Sequence, residues 1–413
     1  MWSIFKSESP TILVAGAGPI GLCAATFLNE RGTPVEIIDS RWNPTDDAFT
    51  VLLHPDALQR LDDMGIELTS ADEVRALHEL AVYDGAQLRA EVALDPEAHP
   101  LGVAVVVPLR SLRTKLERRL HERGVTIHRH RRLARIGTAG DRLTADIDIL
   151  DVVPVGYSDT YADVVVRKTL HRAPQYVIAA DGERSVIRGQ SELGWCALGA
   201  PEAVVTFEVD SSIDLGGQLR VVLDGAITTV MWPLADGGLC LQFHVPPSEP
   251  IVVRHLHDGI APTAMELEAM IAAQLPWLEL STGTVRRATI ECIAPAISAA
   301  STDGRIQLVG NAAHVFAANA SQGLNQGIRE AHDIAVTINQ VLGEPSTAAL
   351  LDELAVTSRA AALRLASIAD TYAPSAATDP WIASHYPKIV PHIPASGGEL
   401  ERIARELGLQ IAR

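Results

Sequence analysis

Ile12-Leu13-Val14-Ala15-Gly16-Ala17-Gly18-Pro19-Ile20-Gly21 leads through a helical stretch to Glu30, then Gly32, then Val35-Glu36-Ile37-Ile38 closing on Asp39. The two short apolar runs read as buried strands and the stretch between them as a helix that Gly32 ends, a compact βαβ unit. Gly16 permits the tight turn, and Gly18 lets a pyrophosphate approach the backbone. Gly21 lets the helix pack close to the strand, so that the helix N-terminus faces the anion. Asp39 follows Gly21 by 18 residues. At the end of the second strand its carboxylate can accept hydrogen bonds from a ribose diol and would repel a 2′-phosphate. The pattern points to an adenosine diphosphate moiety and leaves open whether the rest is nicotinamide or flavin.

The chain has 413 residues, enough for two or three packed units at roughly 100–200 residues each. A net charge of −17 argues against a nucleic-acid or anionic-membrane binder. With 47% hydrophobic and 21% charged residues the composition is that of a globular chain. No signal-peptide core and no run of roughly 20 apolar residues is seen. Cys23, Cys196, Cys240 and Cys292 lie far apart without a CxxC, which reads as reduced thiols. A soluble, cytoplasmic protein is the expectation.

Beyond the first unit, Pro55 starts a helix with Leu58, Leu61 and Met64 inward, and 78–82, 88–93 and 103–107 read as strands. Ser111 is the expected N-cap of a helix carrying Leu112, Leu116 and Leu120, with Gly124 at its end. Its basic face (Arg113, Lys115, Arg118, Arg119, Arg123) reads as solvated, with an anion site as the other reading. A third parallel strand at 125–129, a hairpin of 143–149 with 163–168, and a buried strand at 176–180 follow. From 191 to 294 alternating strands dominate (203–209, 218–223, 227–232, 239–245), with one helix announced by the Thr263–Glu266 capping-box spacing. A strand at 306–309 leads through a glycine-bearing turn to a helix ending near Leu342, and another helix is expected over 347–372. Five prolines from Pro374 to Pro394 suggest an extended segment. Leu400, Ile403, Leu407 and Ile411 then suggest a final amphipathic helix, expected to pack at home, with a homodimer through it as the other reading.

Two further motifs stand after strands: Asp181-Gly182-Glu183-Arg184-Ser185-Val186-Ile187-Arg188, and Gly310-Asn311-Ala312-Ala313-His314 followed by Gly323-Leu324-Asn325 at the opening of a helix. Backbone N–H groups and the helix dipole at the latter suit a flavin ring oxygen and negative charge on the reduced ring. Together the three motifs resemble the single-component flavoprotein aromatic hydroxylases, the para-hydroxybenzoate hydroxylase family, whose members carry GxGxxG, DGxxSxVR and GDAAHxxxPxxGxGxN in this order. The resemblance spans about residues 10–345 and takes in His54-Pro55-Asp56-Ala57-Leu58 and Arg110. Asn311 stands for the family's Asp, Ala317 and Ala318 for prolines, and Ala320 for a glycine.

The resemblance implies an α/β fold: a Rossmann-like FAD-binding domain with a parallel sheet (1–75, 101–190, 295–345), interrupted by a mainly β substrate domain (76–100, 191–294), plus a C-terminal helical segment (346–413). It places Gly16, Gly18, Pro19, Ile20 and Gly21 on the FAD pyrophosphate, Asp39 on the ribose, Ser40 and Arg41 near the adenosine and pyrophosphate, and Arg110 on the phosphates. Asp181 and Gly182 would lie near FAD and the nicotinamide path, Gly310 and Asn311 at the ribityl chain, and Gly323, Leu324 and Asn325 around the pyrimidine end. The implied activity is an FAD-dependent monooxygenase using NADH or NADPH and O2. It would hydroxylate or epoxidise a small aromatic or polyketide-like substrate through a flavin C4a-hydroperoxide. Two alternatives stand beside it: an FAD-dependent dehydrogenase or redox isomerase without oxygen transfer, and a non-catalytic flavin-fold binding protein. The 191–294 strands supply the expected substrate wall: Arg220, Met231, Trp232, Gln242, and His244 as candidate base, its ordinary pKa being near neutral. His255, His257 and Asp258, like His128 and His130, lack helical metal-ligand spacing, and no metal is expected.

Overall fold

The computed structural model describes residues 12–42, 49–68, 74–94, 104–154, 162–278, 282–316 and 320–412. Ile12–Ala15 is the middle of a six-stranded sheet, flanked by Tyr176–Ala179 and Val35–Ile38; outside these lie Ile306–Leu308 and Ile127–His128. These five strands run parallel, and Thr302–Asp303 adds an antiparallel edge. Parallel strands are covered on both faces, which is why all four residues of Ile12–Ala15 are buried. Ile12 and Val14 pack into a core with Leu22, Leu116 and Ile328 from the helices Pro19–Glu30, Leu109–Glu122 and Gln322–Gly343. Leu13 and Ala15 face the other way, toward Leu133, Leu143 and Ile147 of an antiparallel meander formed by Arg131–Ala139, Arg142–Pro154 and Ala162–Arg172.

The alternating region forms a seven-stranded sheet in the order Thr282–Ile293, Glu202–Ser211, Leu239–Val245, Ile227–Pro233, Gln218–Asp224, Glu79–Asp84, Gln87–Ala93. One face packs Phe207, Met231, Leu241 and Phe243 against Val252 and Leu267 of the helices Pro250–Asp258 and Ala264–Gln274. The Thr263–Glu266 capping box is present in full. The opposite face packs Leu219, Val221, Val230 and Trp232 against Leu52, Val106 and the C-terminal residues Ile389, Leu400, Ile403 and Leu407. The final helix therefore packs at home.

Several local expectations change. The helix expected to start after Ser111 runs Leu109–Glu122 behind Pro108, with Ser111 inside its first turn and capping nothing. Its basic face is ion-paired rather than merely solvated: Arg119 Nε lies 2.8 Å and Arg123 Nε 3.4 Å from Glu30 Oε1 of the neighbouring helix. The expected 347–372 helix divides into Ala349–Ala366, a 3₁₀ turn Ile368–Thr371 and the strand Tyr372–Pro374. The proline segment is not extended. Pro380 occupies the first turn of a helix, Pro380–Ile389, whose first N–H groups are capped by Asp379, and Pro387 falls in its last turn. The last helix stops at Glu406. Gly408, at φ +83°, turns the chain into the strand Leu409–Ile411, so Ile411 lies on a strand and is exposed.

Candidate functional site

The first glycine turn is built from two requirements internal to the protein and one that is not. A Cβ on Gly16 (φ +106°) would stand 2.2 Å from the Ala180 carbonyl oxygen, and one on Gly21 would stand 1.9 Å from that of Gly16. Both glycines are needed for strand, turn and helix to close on each other. A Cβ on Gly18 would meet nothing within 4 Å. The space it would enter opens on a cleft of about 670 Å³, at the N-terminus of the helix that Pro19 begins.

Asp39 lines the same cleft and is fixed by backbone donors, Ala17 N–H at 2.7 Å to Oδ2 and Arg41 N–H at 2.8 Å to Oδ1. From the second motif, Asp181 Oδ2 accepts the Val186 N–H at 2.8 Å and so caps the short helix Val186–Gln190. Its Oδ1 is buried with no hydrogen-bond partner among the described residues. Arg188 Nη1 donates to the Ala312 carbonyl at 2.8 Å and ties the second motif to the third. The third motif is held from behind by Glu330 on the long helix. Its Oε2 accepts the Gly310 N–H at 3.0 Å, while Oε1 lies 2.8 Å from His314 Nε2 and accepts from Gln326 at 3.0 Å. Sequence reading missed Glu330, because an acid within a helix gives no sign of facing inward.

Of the expected cofactor residues, Gly16, Gly18, Pro19, Ile20, Asp39, Ser40, Arg41, Asp181, Gly182, Asn311, Gly323 and Leu324 line this one cleft. Four do not. Gly21 is buried beneath the turn, and Gly310 (φ +54°) packs on Ile20, the Cβ it lacks falling 3.1 Å from Ile20 Cγ1. Asn325 is used by the scaffold: its Oδ1 accepts the His54 N–H at 2.8 Å and its Nδ2 donates to the Leu52 carbonyl at 2.8 Å. Arg110 is exposed, and Arg113, almost one turn further along the helix and buried, lines the cleft instead. Arg129, Arg131, Arg132 and Arg184 join it with Arg41, so the described wall carries six arginines and two acids, Asp39 and Asp181. Arg113 comes from the helix Leu109–Glu122, Arg129, Arg131 and Arg132 from the entry to the meander, and Arg41 and Arg184 from the loops after two parallel strands, separate parts of the chain whose convergence no spacing announced. Ala317 and Ala318 lie outside the described residues. Ala320 and Ser321 both take the left-handed backbone, φ +41° and +56°, so the demand that a glycine meets extends to Ser321 as well.

The space in front of Gly18, the unpartnered Asp181 oxygen and the arginine-rich wall fit a dinucleotide, which brings diphosphate, ribose hydroxyls and apolar rings to one groove. Residues 9–212 and 264–368 match the family model described as FAD binding domain. The chain belongs to this FAD-binding family. It is 26% identical over 367 residues to 6-methylpretetramide 4-monooxygenase of Streptomyces rimosus, covering 85% of this chain and 59% of that protein. It is 28% identical over 387 residues to the tetracenomycin B2 monooxygenase-dioxygenase of Streptomyces olivaceus, covering 83% and 64%. The chain thus spans about three-fifths of the length of these curated relatives. In fold it is similar to p-nitrophenol 4-monooxygenase from Pseudomonas putida DLL-E4, with a TM-score of 0.72 at 19% identity over 97% of this chain and 96% of that one.

In this FAD-binding family member the five expected substrate-wall residues divide by the period-two alternation of their strands. Arg220 and Met231 are register partners on the sheet face turned to the Pro250–Asp258 and Ala264–Gln274 helices, with the Arg220 guanidinium 5.6 Å from the Tyr83 ring. Adjacent residues such as Met231 and Trp232 cannot share a face. Trp232, Gln242 and His244 take the opposite one, where Trp232 Nε1 donates to Thr50 Oγ1 at 3.2 Å. His244 lines a second cavity of about 310 Å³, with Glu202, Thr228, Phe316, Lys388 and His392 among its walls. Its ring meets that of His392 at 4.5 Å, and its Nε2 is enclosed without a hydrogen-bond partner among the described residues. Burial pushes His244 down to about 4 and His392 well below the usual histidine range. His392, also missed from sequence, stands in the segment whose prolines suggested extended chain. Among the described residues no helix is long and apolar enough to cross a membrane.

Proposed function

We propose that the chain is an FAD-dependent monooxygenase that uses NADH or NADPH and O2 to oxygenate a small aromatic or polyketide-like molecule. The carrying observation is that three motifs far apart in the chain line one cleft, which leaves the Gly18 approach open and gives the buried Asp181 Oδ1 no partner among the described residues. The turn from Gly16 to Gly21 would hold the pyrophosphate at a helix N-terminus, with Asp39 on the adenosine ribose and Arg41 and Arg113 toward the phosphates. Asn311 would meet the ribityl chain, and backbone groups of Gly323 and Leu324 the pyrimidine end. FAD, when bound, supplies hydride acceptance and the activation of O2.

The protein's own part is to bind, orient and exclude water. The loop that lines the cleft at Asn311 and again at Ser321 also contributes Phe316 to the His244 cavity, so cofactor and organic substrate would be neighbours. His244, neutral at pH 7 through burial, would act there as a hydrogen-bonding group rather than a charge. Asn311 in the cleft brings one negative charge fewer than the family's Asp and favours the second reading, oxidation without oxygen transfer. The test is purification of the full chain, FAD titration, and turnover of a panel of hydroxylated aromatics with reduced nicotinamide under isotopically labelled dioxygen. A yellow protein that places labelled oxygen in the product is expected. Oxidised product without label supports the dehydrogenase reading, and failure to bind FAD at micromolar concentration overturns both.

A further inference from the structure

The meander beside the parallel sheet has two unlike halves. Near the sheet its side chains are used: Leu133, Leu143, Ala145 and Ile147 are in the core, and Thr169 Oγ1 donates to Asp148 at 2.8 Å. Further out it becomes a two-stranded ribbon in which Val152 and Val153 pair with Val164 and Asp163, and every residue from Asp163 to Lys168 is exposed. Val164, Val165 and Val166 are 57%, 37% and 48% exposed, so apolar side chains stand on both faces. Ala162–Arg172 is also an edge strand, hydrogen-bonded on one side only among the described strands. Exposed edges are ordinarily blunted by charge, proline or a bulge; here Asp163 on one side and the bulged Arg167 with Lys168 on the other leave three successive valines between them.

The order of charges around the valines says what can cover them. The run is Asp163-Val164-Val165-Val166-Arg167-Lys168. An antiparallel copy related by a twofold axis through Val165 sets Val164 opposite Val166, twice, and brings Asp163 to the side of Arg167, the residue that a bulge between Val166 and Lys168 leaves out of the ladder. A parallel arrangement would align like charges. We propose that this edge is the isologous contact of a homodimer, in which two copies of the chain join their ribbons into one four-stranded sheet through the 163–168 segment. The contact is short beside a standard interface of roughly 1,200–2,000 Å², so dimerisation is expected to depend on concentration.

Sedimentation equilibrium of the FAD-loaded full chain tests this, with the flavin spectrum reporting that each variant is folded. Wild type is expected to shift toward twice the monomer mass as concentration rises. Val165→Lys, which sets like charges facing across the axis, is expected to remain monomeric. Asp163→Arg should weaken association at least tenfold, and Asp163→Arg combined with Arg167→Asp should restore it. The contact Arg167 makes with Asp151 at 4.0 Å is solvent-exposed and adds little. A wild type that stays monomeric throughout overturns the proposal, as does a dimer indifferent to Val165→Lys or a double exchange that recovers nothing.

Discussion

Gly16, Gly18 and Gly21 look alike in a motif but answer to different constraints. Substituting Gly21 by Ala puts a methyl group 1.9 Å from a backbone oxygen, and Gly16→Ala adds a positive φ to a 2.2 Å clash. Both variants are expected to lose folded protein, read as a collapse in soluble yield and in the thermal transition. Gly18→Ala has room and should keep the wild-type melting temperature of the apoprotein. Its methyl group enters the space a pyrophosphate needs, so FAD affinity should drop at least tenfold in a fluorescence titration. Wild-type affinity in Gly18→Ala would count against the pyrophosphate assignment. Ala320 offers the opposite case. It sits at φ +41°, with its carbonyl 3.0 Å from His54 Nε2. Ala320→Gly is expected to raise stability by about 1 kcal/mol in urea unfolding, as backbone strain is relieved.

At the level of elements, the helix Gln322–Gly343 does more than cover the sheet. Through Glu330 it grips the Gly310 N–H and His314, and so sets the turn that brings Asn311 to the cleft. Glu330 is 3% exposed, so deleting its carboxylate leaves the Gly310 N–H and His314 Nε2 without that partner in the interior. Glu330→Ala is expected to cost roughly 1–3 kcal/mol for each group left unpaired, measured by urea unfolding, and to release FAD. Glu330→Gln, which keeps an acceptor for Gly310, should cost less. Equal losses in the two variants would mean that the Gly310 hydrogen bond is not what the carboxylate supplies.

The molecule as a whole is pinned by histidines held in their neutral form between elements remote in sequence. His54 ends the strand Thr50–Leu53, with Nδ1 3.0 Å from Ser396 Oγ and Nε2 toward Ala320, while His244 meets His392 between the large sheet and the C-terminal segment. Burial pushes both His54 and His244 from about 6.5 down to about 4. Between those values the unfolded chain binds more protons than the folded one, so stability rises with pH across the window. It is therefore complete above pH 6.5, is lost as pH falls toward 4, and levels off below. Each histidine is worth roughly 3 kcal/mol at most. Urea unfolding at pH 4.5 and 7.5 should reveal the difference, and His54→Asn or His244→Gln should each reduce it. A free energy equal at the two pH values in wild type would contradict the neutral burial of these rings.

The βαβ unit at 12–39, most strands, the capping box at Thr263 and twelve of the cleft residues were legible in the chain because they rest on local rules. Apolar runs, glycine at fixed offsets and a side chain bonding its own helix start are written within a few residues of one another. Proximity of distant residues, the face a strand turns inward, and the neighbours that bury a charge are settled only when elements pack. That is why Arg113 rather than Arg110 reached the cleft, why Met231 and Trp232 parted to opposite faces, and why the proline-rich stretch coiled. Asp379 could cap a helix there whose apolar side found the large sheet. Glu330 and His392 belong to the same class. Glu330 takes its role from His314 and Gly310, 16 and 20 residues away, and His392 from His244, distances over which sequence spacing carries no geometry and tertiary packing carries all of it.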